Sequence, residues 1–139
     1  MTIEDNIQSI KEQFSQFDDW LDKYNYLIEL GKELPLIETK NKTEDYLIKG
    51  CQSRVWLYPE LKEGKLYFTA DSDAVITKGL AALVTSVFSG YPPAEIYNTP
   101  TDFINEIGLT EHLSPTRSNG LVSMLKQIKL YAFAFQSKI

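Results

Sequence analysis

The fold is decided by residues 46–69, which read YLIKGCQSRVWLYPELKEGKLYFT. Three short runs in this stretch, 46–48, 55–58 and 66–69, are rich in aromatic and branched residues, a composition typical of β-strands. Gly64 can adopt the positive φ angle of a tight turn, so a hairpin is predicted to join the last two runs. The stretch therefore predicts a small antiparallel sheet.

The segment before the sheet has the apolar period of two helices. In the first helix, apolar residues recur at spacings of four and three: Ile3, Ile7, Ile10, Phe14 and Phe17. Thr2 suits the N-cap of this helix, and Asp18 or Asp19 suits the start of the second. Gly31 fits the position directly after the second helix, and Pro35 prevents the helix from continuing.

The segment after the sheet predicts three more helices. The first is strongly apolar, begins at Asp73 as its cap and stops near Gly90. Thr99 and Ser114, each followed by proline, are predicted to begin a short helix and the last helix. Gly79 falls inside the apolar helix, where glycine costs about 1 kcal/mol relative to alanine, so we expect a close packing contact there.

This order of helices, strands and helices predicts an α+β fold, with helices packed on one small antiparallel sheet. No repeat or linker divides the sequence. A chain of 139 residues is long enough to bury one core without disulfides. The sequence therefore predicts a single domain that spans residues 1–139.

Charge and hydropathy exclude several classes of partner. The formal net charge is −5, which disfavours a nucleic-acid partner because such proteins present a basic face. The longest apolar runs are too short to span a bilayer, and the N-terminus lacks the basic and apolar regions of a secretory signal. Together with the single cysteine, these features predict a cytoplasmic protein.

Cys51 is the only cysteine, so it forms neither an intramolecular disulfide nor a cysteine-rich metal site. It lies in the connection between two predicted strands, directly after Gly50, which gives the backbone freedom. Lys49 and Arg54 flank it, and their charges are expected to favour the thiolate. Taken alone, Cys51 fits a reactive thiol about as well as it fits a buried structural cysteine.

Few other residues offer catalytic or metal-binding chemistry. His112 and Asn119 would complete a Cys/His/Asn hydrolase set with Cys51. His112, however, directly precedes a predicted helix start, where an imidazole commonly satisfies backbone groups, and this is the expected role. One cysteine and one histidine fall short of a typical zinc ligand set, so no metal site is predicted.

Three charged residues have both a functional and a structural interpretation. Asp71 and Asp73 could bind a cation or act as acid and base, but such a pair before a helix more often caps it. Arg117 could hold an anion or a carboxylate of a partner, or lie solvated in the first turn of the last helix.

Several blocks of the sequence occur together in a recognisable order. They cover the chain from about residue 20 to the last helix: 26–32 with 34–35, 48–56, 70–74 with 78–80, 109 with 112–117, and 119–121. Most specific are Gly-Cys-Gln-Ser at 50–53 with Val-Trp at 55–56, and Ser-Pro-x-Arg-x-Asn-Gly at 114–120. With these blocks the chain resembles the SufE family of sulfur-acceptor proteins of iron–sulfur cluster assembly.

The resemblance implies an α+β fold shared with iron–sulfur scaffold proteins of the IscU type. It also implies a partner, a SufS-type cysteine desulfurase that carries pyridoxal phosphate, so this chain needs no cofactor of its own. Cys51 would accept persulfide sulfur from the desulfurase, raise its turnover, and pass the sulfur to an iron–sulfur scaffold complex. The chain would then be an accessory sulfur-transfer protein more than a stand-alone enzyme.

The same resemblance suggests which residues support the loop or meet the partner: Gly50, Gln52, Arg54, Asp71, Asp73 and Arg117. Two alternatives remain open from the residues. One is a Cys/His-dependent hydrolase or thiol transferase that uses Cys51 and His112. The other is a scaffold for nascent clusters, for which one cysteine supplies too few ligands without other chains.

Overall fold

The computed structural model describes residues 2–137 of the chain, and of Thr110 only the backbone. The predicted domain limits at residues 1 and 139 lie outside the described residues. Seven α-helices flank one hairpin in this part of the chain: α1 Ile3–Ser15, α2 Trp20–Lys32, β1 Val55–Lys62, β2 Lys65–Ser72, α3 Val75–Phe88, α4 Pro93–Asn98, α5 Phe103–Glu106, α6 Leu109–His112 and α7 Pro115–Gln136. Two 3-10 turns, Thr39–Asn41 and Glu44–Tyr46, lie between α2 and β1. The predicted α+β class is confirmed.

The sheet is the predicted hairpin. β1 and β2 pair antiparallel from Val55 opposite Ser72 to Lys62 opposite Lys65. The turn places Glu63 at φ 50° and Gly64 at φ 80°, two positive angles that match the twist of the strands.

The third predicted strand, 46–48, is wrong. A 3-10 turn occupies Glu44–Tyr46, so too little extended chain remains for a strand. Leu47 forms only an isolated bridge to Trp56. The Ile48 N–H donates to the Val55 carbonyl at 2.8 Å. The start and the end of the loop that carries Cys51 are therefore tied to each other.

The core lies between the inner face of the hairpin and the helices. Alternate residues of the hairpin are buried, among them Val55, Leu57, Leu66 and Phe68. α3 packs on this face and is buried almost all round, as its apolar sequence predicts. α3 is therefore the central helix, in contact with α1, α2, α7 and the hairpin.

Two glycines set the distance between α2 and α3. A Cβ atom on Gly79 would lie 2.3 Å from the Leu27 carbonyl oxygen, and one on Gly31 would lie 3.1 Å from the Gly79 nitrogen. The close contact predicted for Gly79 is thus confirmed. The position predicted for Gly31 is wrong, because α2 continues to Lys32 and includes Gly31 as a packing residue.

Helix caps that depend on local sequence were predicted correctly. Thr2 and Asp5 form a reciprocal capping box, with backbone-to-side-chain distances of 3.0 and 3.1 Å. Asp19 accepts a hydrogen bond from the Leu21 N–H at 2.9 Å, and Ser114 accepts one from the Arg117 N–H at 3.3 Å.

Two predicted caps are wrong. α3 has Ala74 at its N-cap, and the Asp73 carboxylate accepts a hydrogen bond from the Arg54 N–H at 3.0 Å. Thr99 follows α4 and donates its hydroxyl proton to the Glu95 carbonyl, so it ends one helix and does not begin the next. Among the described residues, no helix has the length and hydropathy needed to cross a membrane.

Candidate functional site

The loop of residues 49–54 carries Cys51 from the Leu47 bridge to β1 and lies against α7. Gly50 has φ 93°, a left-handed angle that residues with a side chain rarely adopt. A Cβ atom on Gly50 would lie 2.6 Å from the Ser123 hydroxyl oxygen of α7. The absence of a side chain at Gly50 therefore allows the loop to turn and also allows it to pack closely against α7.

The Cys51 thiol rests on the backbone of α7. Its Sγ atom donates a hydrogen bond to the Gly120 carbonyl at 3.6 Å. A Cβ atom on Gly120 would lie 3.4 Å from Sγ. This is an ordinary van der Waals distance, so the partly buried sulfur packs directly on the helix at a position where a small residue suffices.

A mostly polar cavity of about 360 Å³ opens beside this sulfur. It lies where the Cys51 loop, α3 and the N-terminal end of α7 meet. The residues that line it are Cys51, Gln52, Ser53, Thr77, Ser114, Thr116, Arg117 and Gly120. Arg117 is the only basic residue among these lining residues, and none of them is acidic.

Burial raises the pKa of the Cys51 thiol above its ordinary value, because the charged thiolate loses solvation. The expectation that Lys49 and Arg54 favour the thiolate is wrong. Both side chains are exposed, where solvent screens their charges, and neither offsets the effect of burial. The thiol is therefore protonated and weakly nucleophilic in this arrangement.

This raised pKa predicts how Cys51 reacts with a small alkylating agent. A higher pKa means less thiolate at any pH below it, so alkylation of the folded chain should be slow at neutral pH and rise through a midpoint above that of a free cysteine. Intact-mass spectrometry across a pH series measures the midpoint. The same chain unfolded in denaturant is the control. A folded midpoint equal to or below the unfolded one would show that the flanking positive charges govern the thiol.

The far end of the loop is fixed by the turn after β2. The Arg54 N–H donates to the Asp73 carboxylate at 3.0 Å, and the Arg54 carbonyl accepts from the Ser72 hydroxyl at 2.8 Å. A further bond joins the Asp73 N–H to the Arg54 carbonyl at 3.3 Å. Asp73 thus supports the loop through the backbone of Arg54, and the Arg54 side chain is left exposed.

Asp71 lies in a neighbouring cluster of charges. Its carboxylate oxygens form salt bridges with the Nζ atoms of Lys42 at 2.8 Å and Lys78 at 3.5 Å. Burial raises the pKa of Asp71, but the hydrogen bonds from Lys42 and the Ser72 N–H and the charges of both lysines outweigh it, so the pKa is lowered overall. Asp71 does not line the cavity. A contact between Asp71 and a partner stays a prediction.

Of the predicted site residues, the structure brings Cys51, Gln52 and Arg117 to one cavity. Gly50 and Asp73, with the backbone of Arg54, hold the loop in place. The sequence did not single out Thr77 or Gly120 as residues of the site. A threonine inside an otherwise apolar helix and a glycine inside a helix were the signals that could have indicated them.

The hydrolase set is not assembled. His112 ends α6, and its ring stacks on Trp20 with centroids 3.9 Å apart. The His112 carbonyl accepts a hydrogen bond from the Tyr24 hydroxyl at 3.0 Å. Neither His112 nor Asn119 lines the cavity beside Cys51. Within residues 2–137, no group of three or more histidine, cysteine or acidic side chains is placed to hold a metal ion.

Comparison with known proteins gives relatives over most of the chain. The SufE family model, described as an Fe-S metabolism associated domain, matches residues 8–132. An uncharacterized SufE-like protein of Rhizobium meliloti (strain 1021) is 40% identical over 129 residues, which cover 89% of this chain and 92% of that protein. An uncharacterized SufE-like protein of Synechocystis sp. is 35% identical over 135 residues, which cover 97% of this chain and 85% of that protein.

A solved structure shares the fold. The solution structure of a hypothetical protein from Thermus thermophilus matches with a TM-score of 0.79 and covers 96% of this chain and 97% of that one. The two sequences are 20% identical, so this similarity shows the fold alone. The family match and the curated relatives go further: the chain belongs to the SufE family and has a role in Fe–S metabolism.

Proposed function

We propose that this chain accepts sulfur on Cys51 from a SufS-type cysteine desulfurase and passes it on to an iron–sulfur scaffold complex in the cytoplasm. The observation that carries the proposal is the position of the single thiol. It lies on a short loop, beside an open polar cavity, with no second cysteine in the chain that could discharge a bound sulfur as sulfide.

The proposed transfer is a thiol–disulfide exchange in which sulfur is the cargo. The Cys51 thiolate attacks the outer sulfur of the persulfide on the desulfurase cysteine. A new sulfur–sulfur bond forms on Cys51, and the old one breaks. The electron pair of the broken bond leaves with the desulfurase cysteine as its thiolate. Cys51 then carries a persulfide, and no oxidant or reductant is consumed.

The raised pKa of Cys51 adds a requirement to this step. The thiol must lose its proton before it attacks, and burial against Gly120 opposes that loss. Movement of the loop out of its contact with α7 removes the burial. The resting arrangement therefore keeps the thiol unreactive, and docking on the desulfurase is proposed to release it.

The proposed function predicts that the chain stimulates its desulfurase. Removal of the persulfide frees the desulfurase cysteine for the next cycle, so steady-state formation of alanine from cysteine should rise severalfold and saturate as the chain is titrated in. Arg117 is exposed at the mouth of the cavity, and Arg117→Glu should need a higher concentration for half-maximal stimulation than Arg117→Ala.

The control for this titration is the desulfurase with a small reducing thiol in place of the chain, which measures turnover without docking. Equal turnover with and without the chain, for a desulfurase shown to bind it, would contradict the proposed function. Equal half-maximal concentrations for both Arg117 variants and the wild type would remove only Arg117 from the docking surface.

A further inference from the structure

Thr77 of α3 has a hydroxyl group with no hydrogen-bond partner among the described residues. Its side chain is 7% exposed, and the residue lines the cavity beside Cys51. No fully buried side-chain oxygen or nitrogen in this part of the chain lacks a partner, so the unpartnered Thr77 oxygen keeps some accessible surface. An unpartnered polar group on a side chain that is nine-tenths buried and lines this cavity points to something that the cavity holds.

Thr85 shows what a threonine of the same helix does when nothing else needs its hydroxyl. Its side chain is 2% exposed, and its hydroxyl lies 2.8 Å from the Ala81 carbonyl and 3.2 Å from that of Ala82. This is the usual solution for a buried threonine in a helix. Thr77 is the third residue of α3, and the carbonyl four residues before it belongs to Asp73, which precedes the helix. Its hydroxyl makes no such bond, so the donor remains available to the cavity.

Transfer of a sulfur atom to Cys51 would create a persulfide anion, which needs a hydrogen-bond donor such as the Thr77 hydroxyl. The resting thiol donates its proton to the Gly120 carbonyl. A persulfide anion has no proton to donate, and its outer sulfur carries the charge, so the carbonyl repels it. The sulfur must turn away from Gly120 towards hydrogen-bond donors. The cavity offers donors in Thr77, in Gln52 and Ser53 of the loop itself, and at the positive N-terminal end of α7 in Ser114, Thr116 and Arg117.

Among these donors, Thr77 is the one that is shielded from water. The other donors are more open to water: Ser53 is half-buried, and Gln52, Ser114, Thr116 and Arg117 are exposed, so their bonds to an anion compete with solvent. A hydrogen bond from a buried donor is stronger because the surrounding dielectric is low. The Gly79 contact with α2, two residues further along α3, also fixes the position of Thr77 relative to the rest of the fold.

We propose that this cavity is a holding site for the outer sulfur of a Cys51 persulfide anion, and that the Thr77 hydroxyl donates the hydrogen bond that positions it. The cavity of about 360 Å³ has far more room than one additional sulfur atom requires. The proposal rests on the proposed function for its ligand, and Thr77 acts on the loaded state, not on the docking of the desulfurase.

The test loads Cys51 chemically and needs no desulfurase. Cys51 is first converted to a mixed disulfide with thionitrobenzoate. Hydrosulfide then attacks the Cys51 sulfur, the aromatic thiolate leaves with the electron pair of the old bond, and a persulfide remains on Cys51. After removal of excess sulfide, the rate at which the outer sulfur is alkylated is followed by intact mass from acid to neutral pH. The midpoint of this profile is the pKa of the persulfide.

Thr77→Val removes the hydroxyl and keeps the shape of the side chain. It should raise the persulfide midpoint by about one pH unit, a tenfold shift in the protonation equilibrium that corresponds to about 1.4 kcal/mol. Thr77→Ser restores a donor and should return the midpoint to the wild-type value. Thr85→Val is the matched control, since it removes a buried hydroxyl of the same helix away from the cavity. It should leave the midpoint unchanged.

Equal midpoints for Thr77→Val and the wild type would overturn the proposal, and so would an equal shift in Thr85→Val. Thermal unfolding of each variant identifies a general loss of structure. If Thr77→Val is destabilised in this way, the comparison of persulfide midpoints between Thr77→Ser and the wild type tests the proposal, and a clearly different midpoint in a folded Thr77→Ser chain would contradict it. A Thr77-dependent midpoint in a chain that no desulfurase loads would leave the holding site standing and reject the proposed function. If a desulfurase loads Cys51 but Thr77 has no effect on the midpoint, the proposed function stands and the holding site is rejected.

Discussion

Cys51→Ser is expected to abolish sulfur acceptance completely. After incubation with a cysteine desulfurase and cysteine, the wild-type chain should gain about 32 Da for one sulfur atom, and reductant should remove it because a sulfur–sulfur bond is labile. The serine hydroxyl is neither acidic nor nucleophilic enough to replace the thiolate, so this variant should gain nothing. Intact-mass spectrometry measures both results, and a peptide map assigns the added sulfur to residue 51.

A matched control tests the position of the thiol and not only its presence. Ser53 lines the same cavity two residues further along the loop, so Cys51→Ser combined with Ser53→Cys moves the only thiol by a short distance. This double variant should accept sulfur much more slowly than the wild type, because the turn at Gly50 places residue 51 against the Gly120 carbonyl and beside the cavity. A sulfur adduct on the Cys51→Ser chain, or wild-type rates for the double variant, would contradict the assignment.

Gly79→Ala is expected to have the largest effect on stability of any single methyl group added to this fold. The new Cβ atom would lie 2.3 Å from the Leu27 carbonyl oxygen and 2.7 Å from its carbonyl carbon. These are backbone atoms, so no side chain can turn aside and α2 must move away from α3. We expect a loss of about 2 kcal/mol or more in the free energy of unfolding, although alanine favours the helix by about 1 kcal/mol.

Gly120→Ala is the control for this substitution. Gly120 also lies inside a helix, but its added Cβ would meet Sγ of Cys51 at 3.4 Å, an ordinary contact. It should keep or slightly raise stability through the preference of alanine for helices. Thermal and denaturant unfolding of the two variants separates steric clash from helix propensity. A Gly79→Ala chain as stable as the wild type would show that α2 and α3 tolerate a wider separation.

The parts of the fold that sequence predicts well are those set by neighbouring residues. Thr2, Asp19 and Ser114 cap helices through bonds to backbone groups only two or three residues away. The hairpin turn at Gly64 is equally local. Asp73 was misassigned because its carboxylate accepts a bond from Arg54, 19 residues earlier, and no local rule anticipates that competitor.

The candidate site divides in the same way. Cys51 stands out because it is the only thiol and follows a glycine. Its cavity forms only when α3 and the start of α7 pack beside the loop. For this reason the sequence alone did not identify Thr77 and Gly120 as residues of the site. The pKa of Cys51 was misjudged for a related reason. Lys49 is close in sequence but exposed, and burial of the sulfur against Gly120 dominates.

The hydrogen bond between Ile48 and Val55 sets how far the sulfur can travel. The Ile48 nitrogen lies 2.8 Å from the Val55 oxygen, so residues 49–54 form a short loop with both ends anchored to the domain. Six residues have a contour of roughly 20 Å, so the tip of a fully opened loop reaches roughly 10 Å from its base. Such a reach is far shorter than that of a swinging arm. Under the proposed function, a donor cysteine at the bottom of a deeper channel would be out of range, so the donor protein and this domain are expected to approach until their surfaces touch.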